Sequence, residues 1–561
     1  MPTTPPSSSQ TPHAVSENWS VIWDCIAAEI PDRPAIISPA GTTTYGELAD
    51  HAARLAFTLA HHGLGVDDKV AIYMYNRPEY LEAIYATFRV GSIPVNINFR
   101  YRAAELVALL EASEAQVVVF PSSLAERIAT VAGQFEHALL LIQVPDDKSA
   151  LLPGAIWWKD ALSAPPAPQS PDIGGDDKIF MFTGGTTGLP KAMIWMHGQL
   201  FDSQLVSAYG ALGVEFPSSL LEVVDIAVNE DVPTPTTLPI TPLMHAMSMF
   251  NTMNTLLLGG SVVFLSEPRF DPARALAAVE RERVNRIIIA GNAVASPLAD
   301  ELDRAVAAGT PYDLESVELV MSSGMAWTDQ SKLGLLRHMD AHLFDVVGSS
   351  EGGPFAYSSV WSEADLPSTL RLAHGAVVLD ADGKELDPES GAIGMLAYKG
   401  AMPLGYYKDP EKTAQVYRTF GAYRYVMPGD YVKLLGERRI EFLGRGSSVV
   451  NTGGEKVYPA EVEEAILAHP AVADCAVFGA PSERWGEIVV AIVETHRGQT
   501  LDLPDLRAHL DSRLAGYKKP KTVVFVDSLG RGPTGKLDIP KLKNLITDHP
   551  GIQTKENTNA S

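Results

Sequence analysis

Apolar positions recur with the period of a helix in many segments of the chain, and short β-rich runs separate these segments. The first part of the pattern predicts helices over residues 44–62, 78–90 and 103–112 and strands over residues 69–73, 93–97 and 115–120. The same order returns later as helices over residues 271–282, 297–307 and 329–338 and strands over residues 286–290, 316–322 and 342–347. Such regular alternation predicts parallel βαβ layers.

The pattern changes over residues 371–442, where glycine-rich turns and short strands predict a β subdomain. A helix is then predicted over residues 458–468, with Pro459 suited to its first turn. The remaining pattern predicts strands over residues 473–478, 488–494 and 522–525 and a helix over residues 502–514. The predicted fold class is α/β: a large N-terminal domain of βαβ-layered sheets plus a β subdomain, followed by a small mobile α+β C-terminal domain.

This organisation predicts four parts of the chain. They are a disordered leader over residues 1–18, a large N-terminal domain over residues 19–444, a small C-terminal domain over residues 445–546 with its hinge near Ser447, and a flexible tail over residues 547–561.

Charge and cysteine content narrow the classes of function. The formal net charge of −24 argues against nucleic acid as a partner, since phosphate backbones need a basic surface. No apolar run reaches the roughly 18 residues that a spanning helix needs, so we expect no membrane insertion. Cys25 and Cys475 lie far apart and outside any CxxC pair, which argues against a disulfide framework or a metal site and fits a cytoplasmic protein.

One nine-residue segment, residues 183–191, combines glycines, threonine hydroxyls and a lysine. Glycine allows a backbone to approach a charged ligand, and successive N–H groups in such a loop bind anions. The hydroxyls and the ammonium add further donors for a polyphosphate. The candidate phosphate ligands are Thr183, Gly184, Gly185, Thr186, Thr187, Gly188 and Lys191.

Three kinds of glycine-rich loop compete for this segment. A P-loop needs Gly-Lys-Ser/Thr, whereas Lys191 follows Pro190 and precedes Ala192. The dinucleotide fingerprint needs GxGxxG, which the spacing of the glycines does not give. The segment instead resembles the phosphate loop of the adenylate-forming superfamily, which includes acyl-CoA synthetases, luciferases and adenylation domains.

Five further segments resemble motifs of that superfamily in the same order along the chain. They are residues 239–245, 347–351, 428–430, 444–445 together with 453–456, and 533–536. The resemblance therefore covers nearly the whole chain. The combination of 183–185 with 348–351 looks most like synthetases for bulky acids such as steroid side chains.

The resemblance implies a two-step reaction with ATP, Mg²⁺ and coenzyme A. A carboxylate attacks the α-phosphate of ATP to give an acyl-adenylate and pyrophosphate, and a thiol then displaces AMP. Lys536 is the implied catalytic residue, because it would stabilise charge developing between the carboxylate and the α-phosphate. Glu351 would coordinate Mg²⁺, and Ser350 would bind the α-phosphate or the metal shell.

The remaining implied roles concern the nucleotide, the thiol and the acid. Asp430 would accept hydrogen bonds from the ribose hydroxyls, with Arg445 adding a ribose or phosphate contact. The implied neighbours of adenine are Ser323, Gly324, Met325, Val347 and Gly348. The implied coenzyme A segment contains Thr452, Gly453 and Gly454, and Ser349 and Lys456 are further implied cofactor-binding residues. The implied acyl pocket includes His245, Ala246, Gly352 and Gly353.

Several departures from the superfamily pattern leave alternatives open. Ala192, Met196, Val347 and Pro428 stand where relatives carry other residues, which could weaken adenylation more than thiol transfer. The chain could then act mainly in thioesterification of a supplied acyl-adenylate. Loading of a carrier protein in trans is a separate alternative, whereas a nucleotide sensor without catalysis would be expected to lack Lys536 or Glu351, and both are present. The sequence does not name the acid, and it leaves the oligomeric state open, with a homodimer among the alternatives.

Overall fold

The structure is a computed structural model. It describes residues 15–134, 139–146, 150–183, 191–445, 450–452, 455–482, 486–511, 513–514, 516–531, 537, 541–542 and 545–546. The helices of these residues, α1 to α15, are Trp19–Glu29, Tyr45–His61, Pro78–Arg89, Ala103–Ser113, Ala125–Val131, Trp158–Ala161, His197–Ala208, Leu220–Val228, Ala246–Leu257, Pro272–Arg281, Gly291–Ala307, Asp329–Leu336, Pro410–Val416, Pro459–Leu467 and Leu503–Asp511.

The strands of the described residues are numbered in the same way. Strands β1 to β28 are Pro34–Ser38, Gly41–Thr44, Lys69–Ile72, Ile93–Asn96, Val117–Pro121, Leu140–Val144, Ala155–Trp157, Lys178–Thr183, Lys191–Met196, Thr236–Pro239, Ser261–Val263, Arg286–Ile289, Leu319–Ser323, His342–Ser349, Gly352–Val360, Leu370–Leu372, Ala376–Leu379, Ile393–Tyr398, Gly405–Tyr406, Tyr417–Phe420, Tyr423–Val426, Asp430–Leu434, Arg439–Arg445, Val450–Thr452, Glu455–Val457, Val472–Ser482, Gly486–Thr495 and Thr522–Val526.

The chain divides into two compact units. The first contains Met1–Thr369, Ala373–Ala376 and Tyr398–Val426, and the second contains Leu370–Leu372, Val377–Ala397 and Met427–Ser561. The predicted division into leader, two domains and tail remains a prediction, and its hinge residue Ser447 lies outside the described residues.

One sheet of the first unit has the predicted parallel core. Strands β1, β11, β10, β12, β13 and β14 lie side by side and are all parallel, while β2 pairs antiparallel with β1 and β15 pairs antiparallel with β14. Helices α10 and α11 pack apolar faces on this sheet, with Leu276 and Leu298 almost wholly buried beside Ile287 and Val320. The α/β class predicted from the alternation is confirmed.

The second sheet of the first unit carries the candidate phosphate loop. Its strand order is β19-β9-β8-β4-β3-β5-β6-β7. Strands β8 to β7 in this order are parallel, whereas β9 and β19 run antiparallel to their neighbours. Phe180 and Ala192, on β8 and β9, are buried in the apolar core of this sheet.

Helix boundaries follow local capping chemistry, and the predicted start of one helix, α11, is corrected by the structure. Thr44 and Glu47 form a capping box at the start of α2, and Pro459 occupies the first turn of α14 as predicted. Helix α11 was predicted to begin at Pro297, but it begins at Gly291 and contains the proline in its first two turns. The prediction was wrong because a proline near a helix start resembles a proline at the first position.

The second unit combines an antiparallel group with a small α+β part. Strand β23 pairs with β16 and β22, and β22 pairs with β18. Towards the C-terminus, β26 and β27 form a long antiparallel hairpin against which α14 and α15 bury Ile466 and Leu510. No helix among the described residues is long and apolar enough to cross a membrane.

Candidate active site

The candidate phosphate loop connects the two strands of a hairpin. Strands β8 and β9 pair in antiparallel register, and Thr183 lies opposite Lys191. Residues 184–190, with the predicted ligands Gly184, Gly185, Thr186, Thr187 and Gly188, lie outside the described residues. Because a strand follows the loop, the P-loop and the dinucleotide fingerprint, which both open a helix, are excluded on structural as well as sequence grounds.

Lys191 is paired with a carboxylate that the sequence did not single out. Its ammonium donates to Oδ2 of Asp409 in an ion pair whose side chains are 29% and 21% exposed. The same carboxylate caps helix α13, since its Oδ1 accepts from the backbone N–H of Lys412 at 2.9 Å. The Lys191 ammonium is the main cause that lowers the pKa of Asp409 below its usual range.

Glu351 lies at the turn between β14 and β15 and is held by two tyrosines. Its Oε1 accepts from the Tyr406 hydroxyl at 2.7 Å, and its backbone carbonyl accepts from the Tyr417 hydroxyl at 2.7 Å. Tyr406 in turn lies opposite Met193 on β9. One segment, residues 405–417, therefore contacts both of the predicted site residues Lys191 and Glu351.

The predicted adenine residues lie at the carboxyl ends of two adjacent parallel strands. Ser323, the last residue of β13, lies opposite Val346 on β14, and its hydroxyl donates to the Val346 carbonyl at 2.7 Å. Gly324 follows with a φ of +81°, which turns the chain towards Met325. Ligands of α/β sheets bind at this edge, beyond the carboxyl ends of the strands. The geometry thus brings Ser323–Met325 and Val347–Ser350 to one edge.

Two asparagines, the half-buried Asn76 and the buried Asn96, fix the segment that leads to His245. Asn76 donates to the carbonyls of Pro239 and Thr241 at 2.9 and 3.0 Å and accepts from the N–H of Leu243 at 2.7 Å. Asn96 donates to the Met244 carbonyl.

Asn96 also joins this segment to the phosphate-loop hairpin, because its Oδ1 accepts from the N–H of Phe182 at 2.9 Å. His245 is the N-cap residue of α9, and Ala246 is its first residue.

The small residues of the implied acyl pocket also have structural reasons to be small. Gly352 and Gly353 have φ of +143° and +115°, a region that favours glycine. A Cβ on Gly352 would also meet Val426 Cγ1 at 3.0 Å. Their place in an acyl pocket remains a prediction.

The residues predicted to bind the ribose of ATP and the coenzyme A thiol belong to the second unit. Asp430 is 8% exposed and lies opposite Arg445 across the β22–β23 pair. Thr452 is buried and lies opposite Glu455, and Lys456 lies opposite Asn451 in the same pair of strands. Gly453, Gly454 and the predicted catalytic residue Lys536 lie outside the described residues.

Comparison with protein families decides the identity of this arrangement. The family described as AMP-binding enzyme matches residues 24–407, and its C-terminal domain family matches residues 461–536. The chain belongs to the AMP-binding enzyme family. The resemblance to the adenylate-forming superfamily that the motifs predicted is confirmed.

Curated relatives extend over almost all of this AMP-binding enzyme. A medium/long-chain-fatty-acid–CoA/3-oxocholest-4-en-26-oate–CoA ligase of Mycolicibacterium smegmatis is 35% identical, over 94% of this chain and 96% of that protein. A 3-oxocholest-4-en-26-oate–CoA ligase of Rhodococcus rhodochrous is 34% identical, over 94% and 96%. The predicted class, an AMP-forming acid–thiol ligase, is confirmed.

Solved structures agree with the fold of this AMP-binding enzyme. The ATP-bound crystal structure of MatB from Rhodopseudomonas palustris has a TM-score of 0.75 and 28% identity, over 94% of this chain and 99% of that chain. The anthranilate CoA ligase AuaEII in complex with anthranoyl-AMP has a TM-score of 0.75 at 20% identity, which shows the fold alone.

Sequence reasoning missed the residues that support the site of this AMP-binding enzyme. Asn76, Asn96, Tyr406 and Asp409 contact predicted site segments from 55 to 218 positions away. Local patterns carry no signal for such distant contacts. The Tyr406-Tyr407 pair before Asp409-Pro410 could have been noted, since Asp followed by Pro marks a helix start.

The described side chains fit Mg²⁺ as part of a nucleotide complex. Among them, no group of three or more His, Cys, Asp or Glu residues could hold a metal ion by itself. Mg²⁺ commonly uses one or two carboxylates and completes its shell with water and substrate phosphates. Glu351 supplies such a hard oxygen donor, oriented by Tyr406.

Proposed function

We propose that this ligase activates a bulky, largely apolar carboxylic acid as an acyl-adenylate and transfers the acyl group to coenzyme A. The observation that supports this substrate class is that relatives aligned over 94% of the chain are named for 3-oxocholest-4-en-26-oate and for medium- and long-chain fatty acids. Enzymes of this class use ATP, Mg²⁺ and coenzyme A, as the sequence predicted.

The reaction proceeds in two steps. A carboxylate oxygen of the acid forms a bond to the α-phosphorus of ATP, and pyrophosphate leaves. The coenzyme A thiol then loses its proton to solvent and its sulfur forms a bond to the acyl carbon, while the bond from that carbon to the phosphate oxygen breaks and AMP leaves. Both reactants of the first step are anions, so the site must offset their repulsion and hold them in line.

Each predicted site residue has a proposed part in this scheme. Lys191 and the loop before it hold the β- and γ-phosphates, and Glu351 would hold Mg²⁺, which when bound would neutralise phosphate charge. Asp430 accepts from the ribose hydroxyls, and Lys536 stabilises charge on the α-phosphate in the first step. The buried position of Asp430 and the anchoring of Glu351 by Tyr406 support these roles.

Pyrophosphate release tests the proposal directly. The protein is incubated with Mg·ATP and a panel of fatty, aromatic and polycyclic acids, with and without coenzyme A. We expect pyrophosphate from the polycyclic and longer fatty acids, and acyl-CoA by mass spectrometry when coenzyme A is present. Glu351→Gln and Lys536→Ala should each lower pyrophosphate release by about 10²-fold or more.

The alternative of a thioesterification enzyme gives a different result in the same assay. Such an enzyme would convert a synthetic acyl-adenylate and coenzyme A to acyl-CoA but release no pyrophosphate from ATP. Ala192, one of the departures that suggested this alternative, is 2% exposed and packs in the core without breaking the β8–β9 register, so the fold accommodates it.

We also propose a cytoplasmic location. Cys25 and Cys475 are free thiols, which is the ordinary state in a reducing compartment. The carboxylic acid, ATP and coenzyme A are the proposed small-molecule partners, and a carrier protein in place of coenzyme A would appear in the assay as thioester formed only with that protein.

A further inference from the structure

Residues 405–417, called here the anchoring segment, connect two site residues that lie 160 positions apart in the sequence. The segment begins with β19, whose Gly405 and Tyr406 pair with Ile194 and Met193 of β9. It continues through Asp409 into helix α13. It contacts Lys191, the first residue of β9, and Glu351, in the turn between β14 and β15, and these strands belong to different sheets.

The anchoring segment is itself firmly built. Tyr406 is 5% exposed, and its N–H donates to the Thr413 hydroxyl at 2.9 Å. The Thr413 hydroxyl donates in turn to the Asp409 carbonyl at 2.7 Å. Tyr406 and Asp409 therefore present their polar atoms from a fixed frame.

We propose that Asp409 and Tyr406 are positioning residues of the nucleotide site: Asp409 holds Lys191 in place of phosphate until ATP binds, and Tyr406 orients the Glu351 carboxylate for Mg²⁺. This inference rests on the proposed function, because it takes Lys191 and Glu351 as ligands of Mg·ATP. Neither Asp409 nor Tyr406 takes part in bond formation.

The role of Asp409 follows from its ion pair with Lys191. Lys191 can give its charge-assisted hydrogen bonds to a carboxylate or to a phosphate, and an arriving phosphate competes with Asp409 for the same ammonium. The pair holds the ammonium in place before ATP arrives, at the cost of some affinity for ATP.

The hydrogen bond from Tyr406 to Glu351 should raise the affinity for Mg·ATP, whereas the ion pair of Asp409 lowers it. A phenol that donates to Oε1 leaves Oε2 of Glu351 to face a cation and fixes the plane of the carboxylate. Such outer partners of a metal-binding carboxylate commonly change affinity by about 10- to 100-fold when they are removed.

Binding measurements without acid test both halves of the proposal. Isothermal titration of the full chain with Mg·ATP reports affinity without turnover. We expect Asp409→Asn, which keeps an N-cap residue on α13, to bind Mg·ATP about three- to tenfold more tightly, because the competing charge is gone. The gain should shrink at high salt, where the ion pair of the native protein is screened.

A matched control lies at the other end of the same hairpin. Lys178, on β8, pairs with Asp67 at 2.7 Å, so Asp67→Asn removes the partner of a hairpin lysine away from the loop. We expect no change in affinity for Asp67→Asn. If Asp409→Asn folds poorly, Asp409→Ser takes its place. Unchanged or weaker binding of Mg·ATP by the variant would show that Asp409 does not compete with phosphate for Lys191.

Tyr406→Phe tests the role of Tyr406, because the loss of affinity for ATP should depend on Mg²⁺. We expect its affinity for ATP to fall about tenfold with Mg²⁺ present and to stay unchanged with the metal chelated. Tyr407→Phe is the control, since the hydroxyl of the neighbouring Tyr407 donates to Glu114 at 2.7 Å instead. Equal losses with and without Mg²⁺ would show a merely structural role.

The same binding measurements distinguish an error in these positioning roles from an error in the proposed function. If the unaltered protein does not bind Mg·ATP, the proposed function is wrong. If it binds Mg·ATP and the Asp409 and Tyr406 variants match their controls, only the positioning roles are wrong.

Discussion

His197 is a buried histidine that the fold keeps neutral. It is wholly buried at the start of α7, where its Nδ1 accepts from the N–H of Trp19 at 2.9 Å and its ring lies 4.4 Å from that of Phe88. Burial lowers the pKa of His197 to about 3. Because its ordinary pKa is 6.5, the unfolded chain takes up a proton that the folded chain refuses.

The pKa of His197 predicts how stability depends on pH. Above about pH 6.5 both states are neutral and the residue adds no pH dependence. Below that, its contribution to the free energy of unfolding should fall by about 1.4 kcal/mol for each pH unit down towards the folded pKa. We expect His197→Asn, whose amide oxygen can still accept from Trp19, to lose this slope in urea unfolding between about pH 5.5 and 4.5. Parallel stability curves for the two proteins would contradict the assignment.

At the scale of elements, a buried lysine joins helix α12 to the hairpin that carries Glu351. Lys332 on α12 is 1% exposed and donates to the hydroxyls of Ser358 on β15 and Ser368 at 3.1 and 3.0 Å. Asp345 on β14 lies within electrostatic range, and burial raises its pKa to about 6 although Lys332 opposes the shift. Burial also lowers the pKa of Lys332.

Removal of the Lys332 charge should destabilise the first unit. Lys332→Met leaves Asp345 without its compensating cation, and we expect a loss of about 3 kcal/mol in the free energy of unfolding. The double variant Lys332→Met with Asp345→Asn should recover part of that loss, as measured by urea unfolding. Additive losses in the double variant would mean that the two charges do not interact.

The same elements show what the sequence could predict. The strand predicted over residues 286–290 is Arg286–Ile289, and the helix predicted over 78–90 is Pro78–Arg89, because both depend on local periodicity. Short strand β19 has no such pattern, and its partner β9 lies more than 200 positions away. Motif order therefore predicted Lys191 and Glu351 but could not predict the Tyr406 and Asp409 contacts.

At the scale of the whole molecule, each of the two units has its own apolar core. Ile287 is 1% exposed in the core beneath the parallel sheet of the first unit. Ile466 is 0% exposed in the core between α14 and the long hairpin of the second unit. Chains with separate cores commonly unfold in more than one transition.

Scanning calorimetry of the full chain tests this division with a matched pair of variants. Ile287→Ala and Ile466→Ala delete the same groups from each core, at about 2–5 kcal/mol each. We expect two transitions, with each variant lowering the midpoint of one transition only. A single transition lowered equally by both variants would show that the units unfold together.

The alternation of side chains along the anchoring segment limits how this protein can tolerate insertions and deletions. Neighbouring Tyr406 and Tyr407 send their hydroxyls to different carboxylates, Glu351 and Glu114. Successive residues of an extended chain point to opposite sides. Loss or gain of one residue within β19 would bring the wrong tyrosine to Glu351, whereas a length change in the irregular connection before it leaves the pairing of Gly405 and Tyr406 with β9 in place. Length variation should therefore be found before β19 and not within it.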